Sequence, residues 1–212
     1  MSKELEVTIL ANNTVEKREV LAEHGLSFYF KYQGREYLFD TGQGEVLFSN
    51  AEKLGIDLKN IDTVFLSHGH DDHTGGLKEL LQFNPEVRVF AHSEVFLPKY
   101  KKVEGELEFI GSEVKKSEVK NFEAAETAVA AAAGIYSTGE IPAPKESYIN
   151  PRYVIKKDGQ QLTDSFNDDI SLYLEAESGI VILLGCSHKG VKNIINEIRA
   201  EIGDKKIAAK SF

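Results

Sequence analysis

The run Ile61-Asp62-Thr63-Val64-Phe65-Leu66 delivers the chain straight into Ser67-His68-Gly69-His70-Asp71-Asp72-His73-Thr74-Gly75-Gly76, and this junction constrains the fold more than any other stretch. A short β-branched and apolar run reads as a strand buried on both faces, which occurs where helices cover a sheet. Gly75-Gly76 breaks the chain, Leu77 to Leu81 reads as a helix, and Val87 to His92 as the next strand. Strand, polar loop, helix and strand in that order make an α/β unit.

Four metal-competent side chains, His68, His70, Asp72 and His73, fall within six residues of that loop. His68 and His70 project to the same side if the backbone stays extended, so both imidazoles can reach one cation at the ~2.0–2.1 Å of a zinc–nitrogen bond. Asp72 and His73 lie past the bend and can address a second cation. Two cations ~3.5–4 Å apart activate a bridging hydroxide and clamp an oxyanion. A solvated turn capping the following helix through Asp72 or Thr74 is the plainer alternative. It explains one polar residue, but not three of the six histidines in the chain.

Around this loop the pattern continues. Leu5 to Ala11, Leu26 to Tyr32 and Arg35 to Asp40 read as a meander with a hairpin at Gln33-Gly34, and Glu45 to Leu54 reads as a helix stopped by Gly55. Glu106 to Ile110 has strand character. The alanine-rich stretch Phe122 to Gly134 is helical by propensity, yet it lies between apparent strands with few large apolar anchors, so no element is assigned to it. Arg152 to Lys157 and Gln160 to Leu162 flank the hairpin signal Asp158-Gly159. Ile170, Leu172 and Leu174 alternate, and Ile180 to Leu184 reads as a buried strand that ends in Gly185-Cys186-Ser187-His188. Val191, Ile194, Ile195, Ile198 and Ile202 then form one apolar stripe on a helix. No linker or repeat divides the chain, so residues 1–212 read as two halves of a single domain.

The formal charge of −9, from 25 Lys and Arg against 34 Asp and Glu, repels polyanions at long range and disfavours nucleic acid as a partner. A small-molecule substrate fits better, although bound divalent cations can reverse the sign locally. No stretch approaches the roughly 18 apolar residues of a membrane span, and the acidic opening Met1 to Glu6 is unlike a signal peptide, so a soluble cytoplasmic protein is expected. One cysteine allows no internal disulfide. Oligomeric state is open, and a homo-oligomer is compatible.

The segment Leu66 to Gly76 resembles the His-x-His-x-Asp-His motif of the metallo-β-lactamase superfamily. Tyr37-Leu38-Phe39-Asp40-Thr41-Gly42 resembles the acidic strand end that precedes it there, in the same order and at a similar separation. The likeness covers nearly the whole chain and is strongest to the subgroup that includes dihydropterin-type aminobenzene phosphate synthases. Phrases like Ser137-Thr138-Gly139-Glu140-Ile141-Pro142 and Gly185-Cys186-Ser187-His188 recur in that subgroup. The resemblance implies an αββα sandwich with two divalent ions, His68 and His70 on the first, Asp72 and His73 on the second, and Asp40 orienting a ligand or the loop. Asp40 also suits a simple turn cap before Thr41-Gly42.

His188 stands just past a buried strand, in the same context as the first cluster, and is read as a further ligand; beginning the next helix is the alternative. Cys186 is a soft ligand or a small buried residue, and the second is favoured. The superfamily usually places a histidine before the strand at Ile170 and an aspartate after the strand at Ile180. This chain has Asp168-Asp169 and Cys186 to His188 at those places. Asp169 is read as a metal ligand, an orienting group or a solvated hairpin-end carboxylate. A last histidine normally follows one more strand in the superfamily. Here Lys205 to Ala209 resembles the start of that strand and no histidine follows His188, so the sandwich is expected without its last strand and helix. His24 sits in a Glu-His-Gly-Leu-Ser phrase like one in the subgroup and can approach the site, whereas His92 is expected at the surface.

Three functions follow. The first is a metal-dependent hydrolase, with Asp72 among its catalytic groups, that turns metal-activated hydroxide on an ester, phosphoester or amide. Zinc is the favoured metal, with manganese or iron as alternatives. The second is the subgroup's synthase activity. The third is a catalytically silent metal-binding or diiron redox module with an incomplete second site.

Overall fold

The computed structural model describes residues 3–143 and 150–211. Six strands form the first sheet, in the spatial order Leu5–Ala11, Ser27–Tyr32, Arg35–Phe39, Ile61–Phe65, Arg88–Ala91 and Asn121–Ala124. The first three are an antiparallel meander, and from Arg35 onward neighbours run parallel. The second sheet has the order Ile207–Ser211, Gly179–Leu183, Leu172–Ala176, Ile135–Ser137 and Val129–Ala132. A third sheet of four strands, Gln160–Thr163, Tyr153–Lys157, Lys99–Val103 and Glu106–Phe109, flanks them. The hairpins at Gln33-Gly34 and Asp158-Gly159 have φ of 50° and 78°, and of 51° and 75°, the left-handed pair that a two-residue type I′ turn requires.

Alternation along each strand sorts the side chains into layers. Phe28, Phe30, Phe39, Phe65 and Phe90 of the first sheet meet Ile135, Leu172, Leu174 and Leu183 of the second in one buried cluster. The opposite face of the first sheet, with Tyr29, Leu38, Val64 and Val89, packs on Leu47 and Ala51 of helix Leu47–Lys53 and on Leu77 and Leu80 of helix Leu77–Phe83. Ile180 and Ile182 on the outer face of the second sheet cover Ile194, Ile198 and Ile202 of helix Val191–Ile202. Each such isoleucine, fully buried, contributes roughly 1.5–3 kcal/mol. The result is the expected αββα arrangement.

The alanine-rich stretch is not helical. Asn121–Ala124 pairs with Arg88–Ala91 at the edge of the first sheet, and Val129–Ala132 pairs with Ile135–Ser137 at the edge of the second. Ala125 and Ala131 are buried in the inter-sheet cluster, where tertiary pairing overrides a propensity worth at most ~1 kcal/mol per residue. The expectation that the last strand is lacking is also corrected. The stretch from Ile207 to Ser211 forms a strand, because it finds an open parallel partner in Gly179–Leu183. No helix follows it among the described residues. No helix among them is long and apolar enough to cross a membrane.

Candidate metal centre

Parallel pairing of Arg35–Phe39 with Ile61–Phe65 brings their carboxyl ends side by side, so Asp40 and the loop after Leu66 emerge together. Asp40 sits at φ 63° and is wholly buried. Its Oδ1 accepts the Ser67 N–H at 2.7 Å, and its Oδ2 accepts the Ser67 hydroxyl at 2.7 Å and faces His73 Nδ1 at 2.6 Å. His70 keeps an extended backbone, φ −79° and ψ 151°, before the single helical turn Asp71–Thr74. The extended stretch and the turn together make the bend between His70 and Asp72, although His68 and His73 still meet across it, ring centroids 4.3 Å apart. Neither Asp72 nor Thr74 caps a helix through its side chain. The turn begins at His70 without a side-chain cap, and Thr74 Oγ1 donates to the His70 carbonyl at 2.9 Å.

His68, His70 and His188 converge, each offering one ring nitrogen within 4.8 Å of the others. The Nε2 atoms of His68 and His188 are 3.2 Å apart. Donors that share a tetrahedral zinc at ~2.0–2.1 Å stand about 3.3–3.4 Å from one another. His70 Nε2 is buried with no hydrogen-bond partner among the described residues, an omission that costs ~1–3 kcal/mol unless something offsets it. Burial, reinforced by neighbouring histidines, holds His68 well below the ordinary imidazole range and brings His70 to about 3. Burial brings His188 to about 4. All three are therefore neutral near pH 7, with lone pairs free for a cation. The donor set fits a divalent ion.

A second group adjoins the first through His68. His68, His73 and Cys186 each offer an atom within 4.8 Å of the others, and His73 Nε2 is 3.1 Å from Cys186 Sγ. Asp72 Oδ2 lies 3.6 Å from His73 Nε2 and 3.4 Å from His24 Nε2. Burial opposes charge on His73, but the charge and hydrogen bond of Asp40, followed by Cys186, outweigh it and raise the imidazole well above its ordinary range.

Several readings change. Cys186 is exposed rather than a small buried residue, because it stands at the rim just past the strand end at Leu183. Asp169 is fully buried, which rules out a solvated carboxylate. Its Oδ2 accepts the Lys189 N–H at 2.8 Å, Oδ1 has no partner among the described residues, and burial raises its pKa to about 7. It thus braces the loop that carries Cys186 and His188. Its neighbour Asp168 is the one that holds the motif loop, accepting the Gly69 N–H at 2.8 Å. His92 is buried, not at the surface. Its Nδ1 accepts the Glu94 N–H at 3.2 Å, its Nε2 pairs with Glu126, and it takes no part in the donor groups. The sequence reading also missed Phe166, whose ring stacks on His188 at 4.1 Å, Tyr153, stacked on His70 at 5.6 Å, and the buried Lys99. No local spacing marks any of the three.

A family model described as the metallo-beta-lactamase superfamily matches residues 21–178. The chain is 29% identical over 204 residues to the 7,8-dihydropterin-6-methyl-4-(beta-D-ribofuranosyl)-aminobenzene-5'-phosphate synthase of Methanocaldococcus jannaschii, covering 89% of this chain and 69% of that protein. It is 30% identical over 209 residues to an uncharacterized protein of the same organism, covering 93% and 77%. A crystal structure described as a metal-dependent hydrolase of the beta-lactamase superfamily superposes with a TM-score of 0.81 at 27% identity, over 99% of this chain and 77% of the other. A subclass B3 metallo-beta-lactamase of Bradyrhizobium japonicum shares the fold, with a TM-score of 0.53 at 16% identity over 87% of this chain and 69% of that one. The family match, the aligned length and the sandwich agree: this chain belongs to the metallo-beta-lactamase superfamily.

Proposed function

We propose that the protein is a metal-dependent hydrolase of small-molecule esters, phosphoesters or amides, with one divalent ion held by His68, His70 and His188 and a second by Asp72, His73 and Cys186. The observation that carries this reading is the convergence of three neutral imidazoles, two of them buried and His188 half-buried, around a His70 Nε2 with no hydrogen-bond partner among the described residues. Zinc is the favoured ion; imidazole, carboxylate and thiolate together suit it, and manganese or iron suit the imidazole and carboxylate part of the set. When bound, such an ion supplies Lewis acidity and lowers the pKa of water toward ~7. The chain's own residues do the rest. Asp40 fixes the His73 ring through Nδ1 and leaves Nε2 facing Cys186 and Asp72. Asp72 Oδ2, only partly exposed, stands at the edge of the site, 3.4 Å from His24 Nε2. Phe166 and Tyr153 pack on the outer faces of His188 and His70 and limit water behind them.

Elemental analysis of the purified protein against the His68→Ala, His70→Ala double variant tests the reading. We expect at least one zinc, manganese or iron per chain in the former and a clear loss in the latter, together with turnover of a generic phosphodiester or lactone. Equal metal content in both removes the proposal. A second reading, synthase activity on a pterin and an aminobenzene ribose phosphate, is favoured by the relative that covers 89% of this chain. Metal-loaded protein that forms a new product from those two substrate classes by mass spectrometry, without turning over generic esters, would favour it over hydrolysis. Iron-dependent absorbance that responds to reduction, with no turnover at all, would instead point to a silent redox module.

A further inference from the structure

Lys99, at the start of strand Lys99–Val103, is 1% exposed, and its ammonium lies 2.9 Å from Asp164 Oδ2 and 3.0 Å from Asp168 Oδ1. None of the three belongs to either donor group. A buried ion cluster is weak evidence of stability, since well-packed apolar residues often do as well, so its contacts matter more than its charge.

Those contacts lead to all three imidazoles of the first group. Asp168 Oδ2 accepts the Gly69 N–H at 2.8 Å, and Gly69 is the residue between His68 and His70. The Gly69 backbone lies close against Val95 and Lys99: a Cβ there would lie 2.2 Å from the Val95 carbonyl oxygen and 2.9 Å from Lys99 Cε. Asp164 Oδ1 accepts the Phe166 N–H at 2.7 Å, and the Phe166 ring stacks on His188 at 4.1 Å and 10°. Phe166 itself is held at φ 55°, an unusual conformation for a bulky residue, fixed by that bond. One ammonium thus ties together the backbone that carries His68 and His70 and the ring that supports His188.

We infer that Lys99, Asp164 and Asp168 are positioning residues that set the three imidazoles at their mutual distances before an ion binds. This rests on the metal reading above. Hydrogen-bonded partners behind metal ligands commonly contribute about 10–100-fold to affinity, and a cluster that reaches every ligand at once belongs at that scale.

Zinc affinity by competition with a chromophoric chelator tests it, with urea unfolding run beside it. Ile198→Ala serves as a control for lost stability, because Ile198 packs in the distant helix cluster and touches none of these groups. We expect Asp168→Ala and Lys99→Met each to weaken zinc about tenfold or more, with Ile198→Ala within about threefold at a comparable loss of stability. Asp168→Asn, whose amide oxygen can still accept from Gly69 only with its NH₂ turned toward the Lys99 ammonium, should fall between wild type and Asp168→Ala. If Asp168→Ala does not fold, the contrast between Lys99→Met and Ile198→Ala carries the test. Affinity losses that merely track unfolding stability across all variants, or wild-type affinity in Lys99→Met, overturn the inference. If the His68→Ala, His70→Ala variant also binds zinc like wild type, it is the metal reading that fails instead.

Discussion

Replacing Asp40 by asparagine probes the joint between the fold and the site. The carboxylate is wholly buried and receives the Ser67 N–H, the Ser67 hydroxyl and His73 Nδ1 within 2.6–2.7 Å. Asparagine keeps the size and one acceptor, but it turns an NH₂ group toward Ser67 or His73. In the metal-free protein the raised pKa of His73 makes the Asp40–His73 contact a buried ion pair. Removing one partner of such a pair costs ~3–5 kcal/mol. For a chain of this length each kcal/mol lowers Tm by about 2–4 °C, so a drop of roughly 6–20 °C is expected. The pH dependence has a fixed sign. Because His73 titrates above its unfolded value of 6.5, its contribution is complete below that pH and is lost as pH rises through the raised folded value. The Asp40→Asn deficit should therefore be largest near pH 6 and smaller near pH 9, measured by urea unfolding without metal. A deficit under about 1 kcal/mol near pH 6, or one that grows with pH, would refute the ion pair.

Two further outcomes follow from the same geometry. His70 and His188, brought to about 3 and about 4, stay neutral in the folded chain while the unfolded chain takes up protons below 6.5, and Asp169, raised to about 7, works in the opposite sense. His68, also held well below its ordinary range, adds to the same side, so three imidazoles against one carboxyl leave the metal-free protein losing more than about 1.4 kcal/mol per pH unit as pH falls below about 6.5, and stability that rises there in urea titrations would contradict the assignment. Gly25→Ala would place a Cβ 2.2 Å from the Asp72 carbonyl oxygen at φ 134°, against the Leu26 N–H bond to that same oxygen. It should cost roughly 1–3 kcal/mol and weaken the ion on the Asp72 side more than the ion on His68, and equal effects on both would show that the N-terminal loop does not seat Asp72.

How much was legible depended on whether the signal was local. The six-residue cluster, the Asp158-Gly159 hairpin and the isoleucine stripe of the last helix were readable because spacing within one element fixes which side chains share a face. The alanine stretch was not, since its strands exist only by pairing with Arg88–Ala91 and Ile135–Ser137, partners outside the stretch itself. In the site, His68, His70 and His188 could be named from the ends of two buried strands. The division of labour between Asp168 and Asp169 could not, because two adjacent carboxylates on a tight bend face opposite loops, Gly69 on one side and Lys189 on the other. Lys99 gave no warning at all. A lysine reads as surface unless its counter-ions are known, and these stand 65 and 69 residues away.

The proton inventory separates the two donor groups in a way their ligand types do not. His68, His70 and His188 are held neutral by burial, so they present lone pairs near pH 7 without giving up a proton. His73 holds a proton that must leave Nε2 before that nitrogen can meet a cation, while Nδ1 stays bonded to Asp40. Zinc entering the first group should therefore bind with little dependence on pH down to about 4. Zinc entering the second should weaken by about tenfold or more per pH unit wherever His73 remains protonated in the free protein. Calorimetry in two buffers of different ionisation enthalpy reads this directly. The first equivalent should release close to no protons, and the second about one, from His73. A first equivalent that releases as many protons as the second would mean that the three imidazoles are not the ones that bind first.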